Sequence, residues 1–226
     1  MAKVLMVLTG ADHLIMSDGT RHPTGYWAEE VAESHRILTE AGIEIDIATP
    51  GGAEPPVDQN SANPPFTEYL DGIADHLAKP LVLADVSIED YDAVYLPGGH
   101  GPMTDLAVDK DLARLLRTAD EEGKVIAALC HGGAALLSTA VDGEFAFAGR
   151  RLTVFSDAEE LNGGTGEKTP YFVETRLREL GAVVEPGPPW SQTVVVDGTL
   201  ITGQNPQSSV DTANRVVAAL ASRASA

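Results

Sequence analysis

The chain has one cysteine, Cys130, and it ends an apolar run, Val125-Ile126-Ala127-Ala128-Leu129, with His131, Gly132 and Gly133 directly after it. A thiol so placed can act as a nucleophile. The run has the length and composition of a strand buried on both faces, and the glycines allow a sharp fold-back. Ala134-Ala135-Leu136-Leu137 then reads as the opening of a helix. A side chain on such a turn stands above the sheet, open to a substrate. The competing reading is a small core residue, a common fate for a lone cysteine. Against it stand the abrupt end of the run, the histidine and the paired glycines. A second run, Ala93-Val94-Tyr95-Leu96-Pro97, also stops at glycines, Gly98-Gly99, followed by His100. Ligands of open parallel sheets bind at the carboxyl ends of adjacent strands. The two turns therefore belong to one site, where backbone N–H groups of the glycine turn and of His131 form an oxyanion hole.

The six histidines are His13, His22, His35, His76, His100 and His131, and none follows the elbow. This excludes the α/β-hydrolase order, in which the histidine comes last, and equally a glutamine amidotransferase triad. An imidazole beside the thiol must be His131 or His100, and the other four are expected at the surface. No histidine pair has i, i+4 spacing and no second cysteine exists, so neither a metal nor a cofactor is expected.

Carboxylates are the remaining acid–base groups. Glu29 and Glu30 fall in the first turn of a helix at the same end of the sheet. Glu29 reads as a solvated residue that complements the helix dipole. Glu30 shares the inward phase of Trp27 and Ser34, and there a protonated carboxyl can hydrogen-bond a thiolate and move protons to a substrate. Glu159 and Glu160 follow Phe155-Ser156-Asp157, and either is a candidate to orient His131; an acidic loop is the plain alternative.

These residues need a frame, and the chain supplies an α/β one. Lys3–Thr9 and Ile43–Pro50 read as strands about a helix from Gly25 to Gly42. Ala93–Pro97 and Lys124–Leu129 read as strands about a helix from Leu106 to Glu122. Gly143–Phe155 reads as a hairpin, with Phe145/Phe147 and Leu152/Val154 alternating. Pro170–Leu180 reads as a helix, Val183-Val184 and Thr193–Val196 as strands, Asp197-Gly198 as a turn into Leu200-Ile201-Thr202, and Val210–Leu220 as a final helix. Residues 51–80, rich in Pro, Gly, Asp and Asn with one candidate helix near Phe66–Leu77, read as a long cover loop within a single domain spanning 1–226. The whole is an open, mostly parallel sheet flanked by helices, a flavodoxin-like sandwich.

Bulk properties narrow the partners. A net charge of −19 over 226 residues argues against nucleic acid and anionic membranes, which require a basic footprint. The apolar stretch at the N-terminus is too short for a signal core or a membrane span. A reducing, cytoplasmic setting is expected, where a single thiol stays reduced.

Several motifs in order resemble the ThiJ/PfpI superfamily: Thr24-Gly25-Tyr26-Trp27-Ala28-Glu29-Glu30, Ala48-Thr49-Pro50-Gly51-Gly52, Leu96-Pro97-Gly98-Gly99-His100-Gly101, Ala128-Leu129-Cys130-His131-Gly132 and Ile201-Thr202-Gly203-Gln204-Asn205-Pro206. Within it the chain is similar to the glyoxalase-III-type, heat-shock-protein-31-like branch, over nearly its whole length. The resemblance implies a class I glutamine amidotransferase-like fold, a catalytic Glu30–Cys130–His131 set, and Gly99 and the His131 amide as oxyanion donors. Glu160 would support the histidine, with Gly98, His100 and Trp27 about the substrate. It also implies glutathione-independent conversion of a small 2-oxoaldehyde such as methylglyoxal to a 2-hydroxy acid, and a homodimer. Relatives also act as redox sensors or holdase chaperones, and other hydrolase or hydro-lyase chemistries use the same elbow. One departure is Ser34, where many relatives carry proline.

Overall fold

In the computed structural model, which describes residues 2–224, strand β1 (Lys3–Val7) divides the core in two. Val4 and Met6 join one apolar cluster, and Leu5 and Val7 the other. This follows from the period-two alternation of a strand covered on both faces. A short hairpin, β2 (His13–Ile15) and β3 (Arg21–Pro23), occupies what the sequence presents as a plain polar loop. Helix α1 (Ala28–Glu40) follows and turns the chain back at Gly42 into β4 (Glu44–Thr49).

The long polar excursion holds α2 (Phe66–Gly72) and α3 (Ala74–Leu77) before an edge strand, β5 (Leu81–Val82). Strand β6 (Ala93–Leu96) and helix α4 (Lys110–Glu121) come next, the helix capped by Asp109, whose side chain accepts from the Leu112 amide. Strand β7 (Val125–Leu129) ends at Cys130, and residues Cys130–Thr139 wind as a 3-10 helix where an α-helix was expected. That segment is pressed from several sides: Ala134, Ala135 and Leu136 are fully buried, and Gly132 and Gly133 run against the end of β6 and against Val154.

The expected hairpin over Gly143–Phe155 does not form. Only β8 (Arg151–Leu152) is a strand there, and it pairs in parallel with β9 (Val183–Val184), beyond α5 (Asp157–Gly163) and α6 (Val173–Glu179). The alternation at Phe145 and Phe147 comes from both rings entering the core, where they meet edge to face at 5.8 Å. The chain closes with the hairpin β10 (Val194–Asp197) and β11 (Leu200–Gly203) and helix α7 (Ser209–Ala224).

The main sheet has the order β10-β11-β7-β6-β1-β4-β5, and every neighbouring pair is parallel except β10–β11. Helices α1 and α7 cover the face of Val4, Met6, Tyr95 and Ala127. Helices α4 and α6 and the 3-10 segment cover the other. Adjacent β6 and β7 bring their two glycine turns together at the carboxyl edge, beside the first turn of α1. No helix among the described residues is long and apolar enough to cross a membrane.

Ser34 sits mid-helix without disturbing α1, and its Oγ lies 2.8 Å from the buried Tyr95 hydroxyl. This chain spends the position on a hydrogen bond that proline cannot make.

Candidate active site

Cys130 sits at the hinge between β7 and the 3-10 segment with φ of 58°, in the left-handed region that non-glycine residues rarely enter. Such a conformation persists only where the surroundings hold it, and it marks a functional turn. The residue is 4% exposed. Its sulfur has a ring on one side and a carboxyl on the other.

The ring is His131, with Nδ1 3.4 Å from Sγ. Its Nε2 lies 2.5 Å from Glu160 Oε2. Burial, with the neighbouring His100, lowers the His131 pKa, so the ring is neutral. Burial works against an ionised Glu160, but the His131 and His100 rings hold its carboxyl well below the usual range. An ionised Glu160 accepts only, so Nε2 carries the His131 proton and Nδ1 presents its lone pair to the thiol. Glu160 Oε1 also accepts from His100 Nε2 at 3.1 Å and from the Thr165 amide and hydroxyl. Both histidine rings are therefore held by one carboxylate.

The carboxyl on the other side is Glu30, fully buried on α1 as its helical phase required. Oε2 accepts from the Gly98 amide at 2.6 Å, which ties the first turn of α1 to the end of β6. Oε1 is buried without a close polar partner among the described residues, and the Cys130 thiol is the polar neighbour left for the carboxyl. Burial pushes Glu30 up to about 8, so it is protonated at neutral pH. Burial and any charge on Glu30 push the Cys130 thiol up as well. The resting pair is neutral, and when one proton leaves, thiol and carboxyl share the other. Glu29 is half-buried beside the site, where its charge acts on Glu30.

Gly99 has φ of +92°, and a Cβ there would lie 2.3 Å from the Gly25 carbonyl oxygen, so only glycine fits. Its N–H has no acceptor among the described residues. The His131 amide points at Cys130 Sγ. These are the two donors the sequence places in an oxyanion hole.

A cavity of about 60 Å³ opens on the sulfur, lined by Trp27, Gly99, His100, Cys130, His131 and Phe155 together with Gly163, Gly164, Trp190 and Pro206. Cys130, His131, Glu30, Glu160, Gly98, Gly99, His100 and Trp27 thus meet in one place. Residues 51–80 contribute nothing to this lining. Trp190 and Phe155, edge to face at 5.5 Å, escape a reading of the sequence. Trp190 lies in an irregular Pro-rich stretch with no periodicity, and its distance along the chain hides the contact.

Glu159 and Glu160 part company here. Glu159 faces away from the rings, where it takes the Ser156 amide and hydroxyl, the Trp190 amide, and the Gln204 and Asn205 side-chain amides. It binds the Gln204-Asn205 turn to the start of α5. One histidine expected at the surface is buried, and a second stands beside the cavity. His35 is buried with Nδ1 2.8 Å from the Tyr69 hydroxyl, and His22 is half-buried and edge-on to His100 at 5.7 Å. The β2–β3 hairpin and the amphipathic α2 carry the chain over positions that look polar.

Residues 24–219 match the DJ-1/PfpI family. Among curated proteins the chain is 32% identical to glyoxalase 3 of Candida albicans, with 97% of this chain and 98% of that one aligned. It is 30% identical to the glutathione-independent glyoxalase HSP31 of Saccharomyces cerevisiae, over 96% and 98%. The crystal structure of glyoxalase III from Candida albicans superposes with a TM-score of 0.80 at 30% identity, over 96% of this chain and 97% of that one. With the sheet order and the strained cysteine elbow already in place, the chain belongs to the DJ-1/PfpI family.

Proposed function

We propose that the protein converts a small 2-oxoaldehyde such as methylglyoxal to the 2-hydroxy acid without glutathione, a glyoxalase III-type lyase reaction. One observation carries this reading. Cys130 Sγ lies between a neutral imidazole nitrogen, His131 Nδ1 at 3.4 Å, and a buried, protonated Glu30. The names of the two glyoxalase relatives support it.

His131 Nδ1 takes the thiol proton as Sγ adds to the aldehyde carbon. His131 passes that proton to the carbonyl oxygen, and the product is a hemithioacetal, with the developing charge received by the Gly99 and His131 amides. A carboxyl beside the sulfur suits the next step. Glu30 in its ionised form removes the proton from the former aldehyde carbon, and returning it to the adjacent carbon of the enediol gives a thioester of the hydroxy acid. Water then cleaves the C–S bond, one water enters the product, and the thiol is restored. No redox partner is needed, because one carbon is oxidised as its neighbour is reduced. The cavity of about 60 Å³ has room for a few water-sized groups, which suits a three-carbon substrate.

The test is D-lactate formation from methylglyoxal in glutathione-free buffer by wild type and Cys130→Ala. Turnover by wild type that vanishes in the variant is expected. Turnover undiminished in Cys130→Ala overturns the proposal.

A further inference from the structure

We propose that His22, Asp58 and His100 form a binding site for a zinc-like divalent ion at the edge of the substrate cavity. One ligating atom from each residue lies within 4.8 Å of the other two. They come from three separate segments: His22 from β3, Asp58 from the 51–80 excursion, and His100 from the glycine turn after β6.

Asp58 is 2% exposed, and a carboxylate buried to that degree needs compensation. It receives the Thr24 hydroxyl and the Asn60 amide, both at 2.9 Å. Among the described residues no lysine or arginine pairs with it. Its nearest ionisable neighbours are two imidazoles, the donor set that zinc-like ions select.

His100 brings the second feature of a built site. Its Nε2 is taken by Glu160 Oε1 at 3.1 Å, so Nδ1 is the ring nitrogen left for an ion. A carboxylate behind a ligating imidazole, fixing its tautomer, is the usual outer partner of a protein zinc ligand. Tetrahedral ligand atoms stand about 3.4 Å apart, so the ion draws the three side chains inward by small rotations. Occupancy then staples the β2–β3 hairpin and the 51–80 segment to the turn that carries Gly98 and Gly99. Three protein ligands leave a coordination position for water.

The test is a titration of chelator-treated protein with Co²⁺, read by visible d–d absorption, on wild type, His22→Ala, Asp58→Asn and Cys130→Ser. Competition with Zn²⁺ follows. Saturable binding of one ion by wild type and Cys130→Ser is expected, displaced by Zn²⁺ and weakened more than about tenfold in His22→Ala and Asp58→Asn, at least the scale on which outer partners of a metal site act. His22 is half-exposed on a hairpin, so its variant decides the matter even if Asp58→Asn fails to fold. Binding unchanged in His22→Ala overturns the proposal and assigns the ion to His100, His131 and Glu160, which also converge. Binding lost in Cys130→Ser with a sulfur-to-cobalt charge-transfer band, or no saturable binding at all, overturns it too.

Discussion

His131 meets Glu160 through Nε2, and that contact decides which nitrogen faces the cysteine: Nδ1, 3.4 Å from Sγ, is left as the acceptor. The carboxylate does not touch the sulfur. It sets the tautomer and aim of the group that does.

Replacing Glu160 by glutamine removes that control. The amide can donate to Nε2, which favours the tautomer with its proton on Nδ1, pointing at the thiol. In Glu160→Gln we expect kcat for methylglyoxal to fall by roughly two orders of magnitude or more, the direction seen when the acid behind a catalytic histidine is neutralised. Stopped-time lactate assays with a circular dichroism check separate this from misfolding. Activity within a fewfold of wild type would mean that Glu160 does not position His131.

The pair formed by Glu30 and Cys130 should govern the acid limb of the pH profile. Glu30 is pushed up to about 8 by burial, so below that pH both groups are protonated and the shared-proton form is scarce. Then kcat/KM should rise about tenfold per pH unit and level off near pH 8, an apparent value that belongs to the pair. Glu30→Gln keeps an acceptor for the Gly98 amide but has no proton to share. It should lose about 10²–10⁴-fold in rate, with the residual activity no longer following that limb. A wild-type profile flat from pH 6 to 9 contradicts the assignment.

Glu30 also links folding to pH. Its folded pKa is pushed up to about 8 from an ordinary 4.5, so the folded state holds a proton that the unfolded chain releases. This contribution is complete below pH 4.5 and is lost as pH rises through 8, with a ceiling of roughly 5 kcal/mol. Relative to wild type, Glu30→Gln should therefore gain stability steadily between pH 5 and 8. Urea melts at several pH values read this, and parallel pH dependences in the two proteins would refute it.

What the sequence disclosed and what it hid divide along physical lines. Strands β1, β6 and β7 stand out as continuous apolar runs and β4 and helices α1 and α4 by their period, and Gly42 and Gly123 mark the helix stops. Glu30 was found by helical phase alone. Phase does not separate Glu159 from Glu160, since adjacent carboxylates differ only in which face of α5 they take; there only the family resemblance points to Glu160. Trp190 and Asp58 sit in irregular stretches, where nothing local says what they will touch. The Phe145/Phe147 alternation misled because packing against a core imitates the period of a ladder.

Ser34 offers a test of packing apart from chemistry. Its Oγ is the hydrogen-bond partner of the fully buried Tyr95 hydroxyl at 2.8 Å. Ser34→Ala strands that hydroxyl in the core, which costs about 1–3 kcal/mol. Denaturant melts should show the loss, and Ser34→Ala,Tyr95→Phe should recover most of it because both polar partners are then gone. If the double variant is no more stable than Ser34→Ala, the hydrogen bond is not what the position supplies.

Gly132 tests the elbow itself. A Cβ at this residue would lie 2.1 Å from the Leu96 carbonyl oxygen and 2.7 Å from that of Pro97, both backbone atoms at the end of β6 that cannot rotate away. Gly132→Ala must push the 3-10 segment off β6, and that motion carries Cys130 and the His131 amide away from Gly98 and Glu30. We expect a loss of about 1–3 kcal/mol in stability and a larger effect on kcat than on KM, since the reacting groups move while most of the cavity wall stays. Gly143→Ala is the comparison. That glycine has a positive φ, which Gly132 does not, but nothing lies within 4 Å of its added Cβ, so it should lose about 1 kcal/mol from backbone strain and retain full turnover. Equal losses of activity in the two variants would show that the close approach of the elbow to β6 is not what holds the thiol in place.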